Sequence, residues 1–250
     1  MFPTFTIKGF TFHSYGLMLA IGFLSSFTLC MLRFHRKGED LKLLMTLLVP
    51  TILGGFLGSH LLGCIIESQS LSEFFTLCMD LTQGYVFYGG LLTILITTLI
   101  YSKVTSLDYL HYTDLIIPTL PAAQGFGRIG CFLAGCCYGK PCSFLSVTFT
   151  HSPVAPNFVP LFPIQLLCAC FDFIFFFCIL KYEKKAPPKG TLTFTYLTVY
   201  SLVRFIVEFF RGDARRGFIL FLSSSQVFSV VLLFFCGTYL LYRRWIKSNC

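Results

Sequence analysis

Apolar residues run through this chain in long blocks rather than in short alternating stretches. A bilayer-spanning helix needs about 20 mostly apolar residues. Seven blocks approach that length: about 13–33, 43–66, 85–102, 113–138, 162–181, 190–210 and 218–242. The fourth is the least regular, because Pro118, Pro121 and a run of glycines interrupt it. It reads as a broken helix, which is tolerated at membrane depth only where protein or a water-filled cavity covers the freed backbone groups. The N-terminus lacks a basic segment and a convincing cleavage site, so the first block is expected to stay as a span rather than leave as a signal peptide. No fixed-period repeat or low-complexity tract divides the chain. The pattern predicts an all-α integral membrane protein of seven transmembrane helices in a single domain, 1–250.

Composition narrows the class. Of 250 residues 55% are hydrophobic and only 12% charged, against about a quarter charged in soluble domains. That shortage excludes a soluble globular enzyme, a disordered chain and a collagen-like one. The 31 phenylalanines suit lipid-facing helices. A net charge of +8 could suggest nucleic acid, but the basic residues sit in short clusters between apolar blocks. Orientation in a membrane explains them better, and no nucleic-acid partner is predicted. Twelve Lys and Arg flank one side: Arg33, Arg36, Lys37, Lys42, Lys103, Lys181, Lys184, Lys185, Lys189, Arg243, Arg244 and Lys247. Five flank the other: Lys8, Lys140, Arg211, Arg215 and Arg216. The asymmetry predicts an outer N-terminus and a cytoplasmic C-terminus. Arg211, Arg215 and Arg216 cluster against that rule, as a grip on an anionic lipid would require.

Ionisable residues at membrane depth are costly and mark function by default. Here they are His60, Arg128, Asp172, Arg204 and Glu208. Tyr200, Arg204, Glu208 and Arg211 are spaced 4, 4 and 3 apart, which places them on one helix face. Two readings stand: an Arg204–Glu208 pair that only holds the bundle together, or a polar stripe facing a cavity for a charged ligand. Arg128 lies among Gly125, Gly127, Gly130 and Gly135, with no acidic residue between Asp114 and Asp172. An arginine cannot shed its charge, so it requires an anion from elsewhere. That anion is a distant carboxylate, Asp172 or Glu208, or a lipid phosphate taken by a planar fork. Two arginines on different spans can hold one phosphate diester.

Other positions carry weaker signals. His13 and Tyr15 open the first span, and Tyr88 with Gly89 and Gly90 opens the third. Tyrosines at such places are commonly membrane anchors. Gly54, Gly55, Gly58 and Ser59 read as a packing face, and His60 within it as a core histidine. Cys131, Cys136, Cys137 and Cys142 have spacing C-x4-C-C-x4-C, which is neither a zinc nor a ferredoxin pattern. They read as small apolar filler. No metal and no cofactor is predicted.

In this order the pieces resemble the prolipoprotein diacylglyceryl transferase family. The family signature is Gly-Arg-x-Gly-Asn-Phe-x-Asn-x-Glu-x-x-Gly. This chain has Gly127-Arg128-Ile129-Gly130-Cys131-Phe132, then Ala134, Cys136 and Gly139. The arginine and the glycine frame match, while both asparagines and the glutamate are replaced. Tyr200, Arg204 and Glu208 match the family's sixth-span Tyr, Arg and Glu. Tyr15-Gly16 matches its first-span pair, and Ser225-Gln226 resembles the residues that open its last span. The family's His-Gly-Gly is Tyr88-Gly89-Gly90 here. Its His-Pro-x-Gln-Leu-Tyr-Glu is Phe162-Pro163-Ile164-Gln165-Leu166-Leu167-Cys168. The resemblance covers nearly the whole chain.

The resemblance implies a bacterial inner-membrane enzyme with phosphatidylglycerol, membrane lipid and preprolipoprotein signal peptides as partners. It would move a diacylglyceryl group to the lipobox cysteine thiol. Arg128 and Arg204 would hold the phosphate and stabilise it as the bond breaks. Tyr88 would stand where the family's candidate base stands. Tyr15, Gln165 and Tyr200 would bond glycerol hydroxyls, Glu208 would orient Arg204, and Arg211 would widen the clamp. The rival is a lipid-binding or transport protein of the same fold without transferase chemistry, supported by the lost His, Asn and Glu.

Overall fold

The computed structural model describes residues 3–7, 10–81, 86–213, 218–219 and 221–249. In chain order these form β1 (Thr4–Ile7), β2 (Phe10–His13), α1 (Ser14–Lys37), α2 (Leu41–Glu67), α3 (Leu71–Met79), α4 (Phe87–Thr105) and α5 (Tyr109–Ile116). A 3₁₀ turn, Ile117–Thr119, leads into α6 (Leu120–Ala134). Then come β3 (Val147–Thr148), β4 (Pro160–Leu161), α7 (Ile164–Glu183), α8 (Thr191–Val207), a 3₁₀ turn at Glu208–Phe210, β5 (Phe218–Ile219), β6 (Leu222–Ser223) and α9 (Ser224–Asn249). Among the described residues these strands pair antiparallel as β1–β2, β3–β4 and β5–β6, and Leu161 of β4 also bridges to Pro141.

Among the described residues five helices are long and apolar enough to cross a membrane: Ser14–Lys37, Leu41–Glu67, Ile164–Glu183, Thr191–Phe210 and Ser224–Tyr242. Of the seven expected spans, the third is represented by a shorter apolar stretch, Leu92–Thr105. The fourth is two helices joined through a 3₁₀ turn at Pro118. Proline has no N–H to give and crowds the preceding turn, so the chain tightens there rather than continuing as one straight helix. The last four residues of the expected fourth span are not helical. Gly135 ends α6 in the left-handed conformation at φ 70° and donates its N–H to the Cys131 and Phe132 carbonyls. That conformation crowds a Cβ, which glycine lacks.

The described residues cluster into two compact units. The smaller runs from Met31 to Tyr112. Asp40 caps α2 by accepting the Lys42 N–H at 2.8 Å. α2 and α4 pack through glycines: a Cβ on Gly58 would strike Thr93, and one on Gly89 would strike the Gly58 carbonyl. Two helix backbones can approach this closely only where side chains are missing. Ser59 ties the start of α4, its hydroxyl donating to the Val86 carbonyl at 3.0 Å and its carbonyl accepting the Val86 N–H at 3.0 Å. His60 is buried, with Nε2 3.3 Å from the Cys78 carbonyl and 3.7 Å from the Cys64 sulfur. α3, which hydropathy did not anticipate, is capped by Ser70, whose hydroxyl accepts the Glu73 N–H at 3.2 Å.

The larger unit comprises Met1–Cys30 and Thr113–Cys250. Asp114, on α5, caps a helix distant in sequence. Its carboxylate accepts the Gly190 N–H at 2.6 Å, the Thr193 N–H at 2.8 Å and the Thr193 hydroxyl at 2.6 Å. These are the N–H groups that α8 leaves unpaired at its start, and a carboxylate is also the charge that helix end prefers. Ile179, Leu192 and Tyr196 form a buried apolar cluster where α7 meets α8. α6 and α1 meet at Gly130, where a Cβ would lie 3.0 Å from Met18 and 3.2 Å from the Tyr15 ring.

Candidate active site

The polar stripe of α8 is built by local geometry first. Glu208 is 4% exposed and sits between two guanidinium groups, 3.4 Å from Arg204 and 3.6 Å from Arg211. A carboxylate this buried requires cationic partners. Arg204 donates a 2.9 Å hydrogen bond to the Ser225 hydroxyl on α9. Its other terminal nitrogen, Nη1, is buried with no hydrogen-bond partner among the described residues. Arg211 does not continue the helix face that the 4, 4, 3 spacing predicts. α8 ends at Val207, tightens into 3₁₀ geometry, and Arg211 is extended at φ −74°, ψ 140°. Arg211 still reaches Glu208, and it also makes a two-point pair with Asp213, at 2.9 and 2.6 Å.

Extended backbone at Arg211 joins the segment after α8 to the loop after α6. Lys140 N–H donates to the Phe210 carbonyl and Gly212 N–H to the Tyr138 carbonyl, both at 2.9 Å. This two-bond ladder fixes Arg211 beside the turn that follows Arg128.

Arg128 is half-buried on α6. Among the described residues it makes no hydrogen bond and no ion pair, although its charge lies within electrostatic range of Tyr200, Cys168, Cys131, Cys137 and Asp172. A distant carboxylate therefore faces it without closing a pair. The Cys168 thiol on α7 lies within electrostatic range of Arg128, Arg204 and Arg211 together. Three guanidinium groups, from α6, α8 and the segment after α8, thus lie within electrostatic range of one thiol.

Gln165 is 1% exposed at the start of α7. Its amide nitrogen donates to the Cys136 carbonyl at 2.9 Å, and its carbonyl oxygen has no hydrogen-bond partner among the described residues. Half of this side chain holds the turn after α6, and half is open to a donor. Tyr15 is 41% exposed on α1 and lies within electrostatic range of Arg128. Tyr200 stacks on Tyr196 at 5.8 Å. Gln226 belongs to a capping box: its side chain accepts the Ser223 N–H at 3.0 Å and its own N–H donates to the Ser223 hydroxyl at 3.2 Å. Its place in the motif is explained by the start of α9.

Tyr88 lies in the first turn of α4, and its side chain is outside the described residues, as are Arg215 and Arg216. Sequence reasoning gave no role to Ser225, Asp213 or Cys168. The Ser-x-x-Gln box before an apolar run was a signal for the start of α9. The Arg204–Ser225 bond had no signal, because it joins residues 21 apart across two helices.

Comparison with known proteins agrees with this geometry. The sequence matches the family described as Prolipoprotein diacylglyceryl transferase over residues 3–242. The chain is 39% identical over 227 residues to a phosphatidylglycerol–prolipoprotein diacylglyceryl transferase of Clostridium tetani, covering 90% of this chain and 91% of that one. It is 36% identical over 238 residues to a second such enzyme of Clostridium perfringens, covering 94% and 92%. A homologue of the same name from Acinetobacter baumannii is 30% identical over 230 residues, covering 88% and 84%. With a match that runs nearly end to end, this chain belongs to the prolipoprotein diacylglyceryl transferase family.

Proposed function

We propose that this multi-pass membrane protein transfers the diacylglyceryl group of phosphatidylglycerol to the lipobox cysteine thiol of a preprolipoprotein. The observation that carries the reading is that Arg128, Arg204 and Arg211 all lie within electrostatic range of Cys168, with Arg128 making no hydrogen bond or ion pair among the described residues. A lipid phosphodiester supplies the missing anion. The substrate sulfur attacks the glyceryl carbon, the carbon–oxygen bond to phosphate breaks, and glycerol phosphate leaves with the electron pair. Charge grows on the departing phosphate, where preset guanidinium donors help most. Arg204 has a buried Nη1 without a partner, while Glu208 and Ser225 both hold its Nη2. Arg211 widens the clamp from its bidentate seat on Asp213. Tyr15, Tyr200 and the open oxygen of Gln165 bond the glycerol hydroxyls. The thiol proton passes to His13, Glu208 or the phosphate itself, since a thiol of pKa near 8.5 needs little help to ionise.

The whole chain, 1–250, is read as one transferase domain in the bacterial inner membrane. Seven crossings, with the N-terminus outside and the C-terminus cytoplasmic, suit the distribution of Lys and Arg. The preprolipoprotein is engaged through its signal peptide. The non-catalytic rival has less support, since relatives over nine-tenths of the chain carry the transferase name. Purified protein in phosphatidylglycerol micelles with a lipobox peptide is expected to release glycerol phosphate in step with peptide lipidation. Lipid binding without release would overturn the reading.

A further inference from the structure

The spacing of the cysteines hides a sulfur cluster that the turn after α6 creates. Cys131 is in the last turn of α6, and Cys136 and Cys137 follow the left-handed Gly135. The Cys136 N–H donates to the Cys131 carbonyl at 3.0 Å, and its thiol points back to that carbonyl at 3.7 Å. Cys137 is itself left-handed, at φ 54°. A non-glycine residue there is uncommon and signals a backbone held by its surroundings. From the far side, Gln165 pins the Cys136 carbonyl. The chain thus reverses over its own helix end, and the three sulfurs lie within 4.8 Å of one another.

We propose that Cys131, Cys136 and Cys137 form a three-sulfur site for a single thiophilic cation of the Zn(II) or Cu(I) kind. The donor set selects the class. Among the described residues no His, Asp or Glu joins the group, and thiolate-only sites favour soft ions over Mg, Ca or Mn. The size fits: three sulfurs about 2.3 Å from one ion lie about 4 Å apart, so the group contracts by less than about 1 Å on binding. The charge fits as well. Binding releases three thiol protons and forms a net anionic complex, −1 with Zn(II) or −2 with Cu(I), and Arg128 and Arg211 both lie within electrostatic range of Cys137. The reversed turn supplies what the C-x4-C-C spacing lacks in a straight reading, because two left-handed residues do the work that a zinc-knuckle loop does elsewhere. This site rests on the turn geometry and stands or falls apart from the transferase reading.

The test uses the full chain, purified in detergent and kept reduced. Titration with Cd(II) should raise a thiolate-to-metal charge-transfer band that saturates at one equivalent. X-ray absorption of the Zn(II) form should give sulfur neighbours at about 2.3 Å. Cys131→Ser, Cys136→Ser and Cys137→Ser should each weaken Cd(II) binding at least tenfold. Cys142→Ser, outside the group, should leave it unchanged. Should a variant fail to fold, the wild-type chain still decides: bound Cd(II) should protect these three cysteines from alkylation, read by peptide mass spectrometry. Alkylation of all three at the metal-free rate, or a disulfide among them that persists in the reduced chain, would overturn the proposal.

Discussion

The guanidinium of Arg204 on α8 is held by the hydroxyl of Ser225 on α9 at 2.9 Å. Glu208 lies 3.4 Å from the same terminal nitrogen, Nη2, so one end of the fork is committed to the protein. An unused, buried Nη1 remains to face a ligand. A lysine keeps the charge but presents a point rather than a fork. Arg204→Lys should therefore lower kcat/KM by about 10²-fold, in the range seen for loss of one preset donor. Ser225→Ala removes one neutral partner, worth about 1 kcal/mol, and should cost roughly fivefold. Equal activity of Arg204→Lys and the parent would remove the fork from the mechanism.

Of the three clustered arginines, Arg128 is the one with no hydrogen bond or ion pair among the described residues, so its replacement breaks no closed pair, although buried Asp172 loses the charge in its electrostatic range. Arg128→Ala is expected to fold and to lose about 10²- to 10³-fold in turnover. Full activity in that variant would refute a phosphate role. Glu208→Gln should behave differently: it uncouples two buried arginines and should cost about 3–5 kcal/mol of stability as well as activity.

Asp114 holds the start of α8 from α5 through three hydrogen bonds. Asp114→Ala should cost about 1–2 kcal/mol, the worth of a strong cap. The expected readout is a lower Tm in detergent, with near-normal turnover per folded molecule. An unchanged Tm would mean that the cap is dispensable.

Outside the spans, Glu39 accepts hydrogen bonds from His111 at 2.7 Å and from the Tyr112 hydroxyl at 3.0 Å. The His111 bond, with that of Tyr112, holds the Glu39 carboxyl below its ordinary value of 4.5. A depressed carboxylate stabilises the fold above its unfolded value and loses that contribution as pH falls through its lower folded value. The loss should thus set in only below about pH 4.5. Glu39→Gln should flatten the Tm profile below that pH while lowering Tm at pH 7. Parallel profiles for the two proteins would sink the assignment.

Tyr88 stands where the family has histidine. A phenol with pKa near 10 is a poor base at neutral pH. A hydrogen-bonding role to the donor head group suits it better. Tyr88→Phe should then slow turnover a few-fold, and Tyr88→His should remain active. Complete loss in Tyr88→Phe with lipid binding intact would make Tyr88 the acid–base residue instead.

Hydropathy alone located the long helices, because burial in lipid leaves a block of apolar residues whatever the tertiary fold. It placed α1, α2, α7 and α8 to within a few residues. The Arg204–Glu208 pair was also legible, since four residues bring side chains together on any helix. Local rules failed where the backbone leaves the helix. α8 tightens at Glu208 and extends at Arg211, so the fourth member of its stripe reaches Glu208 from a bridge to the Tyr138–Lys140 segment rather than from a helical face. The grouping of the three cysteines was not legible, because spacing measures distance along the chain, while the left-handed turn at Gly135 brings their sulfurs within 4.8 Å of one another. Asp114 on Thr193 and Ser225 on Arg204 are contacts between helices, and no periodicity encodes them. The sequence by itself determined which segments are long and apolar enough to cross a membrane and which charges lie within them. Only the tertiary structure decided which of those charges meet, because an unpaired guanidinium or an uncapped helix end finds its partner through packing, not through proximity along the chain.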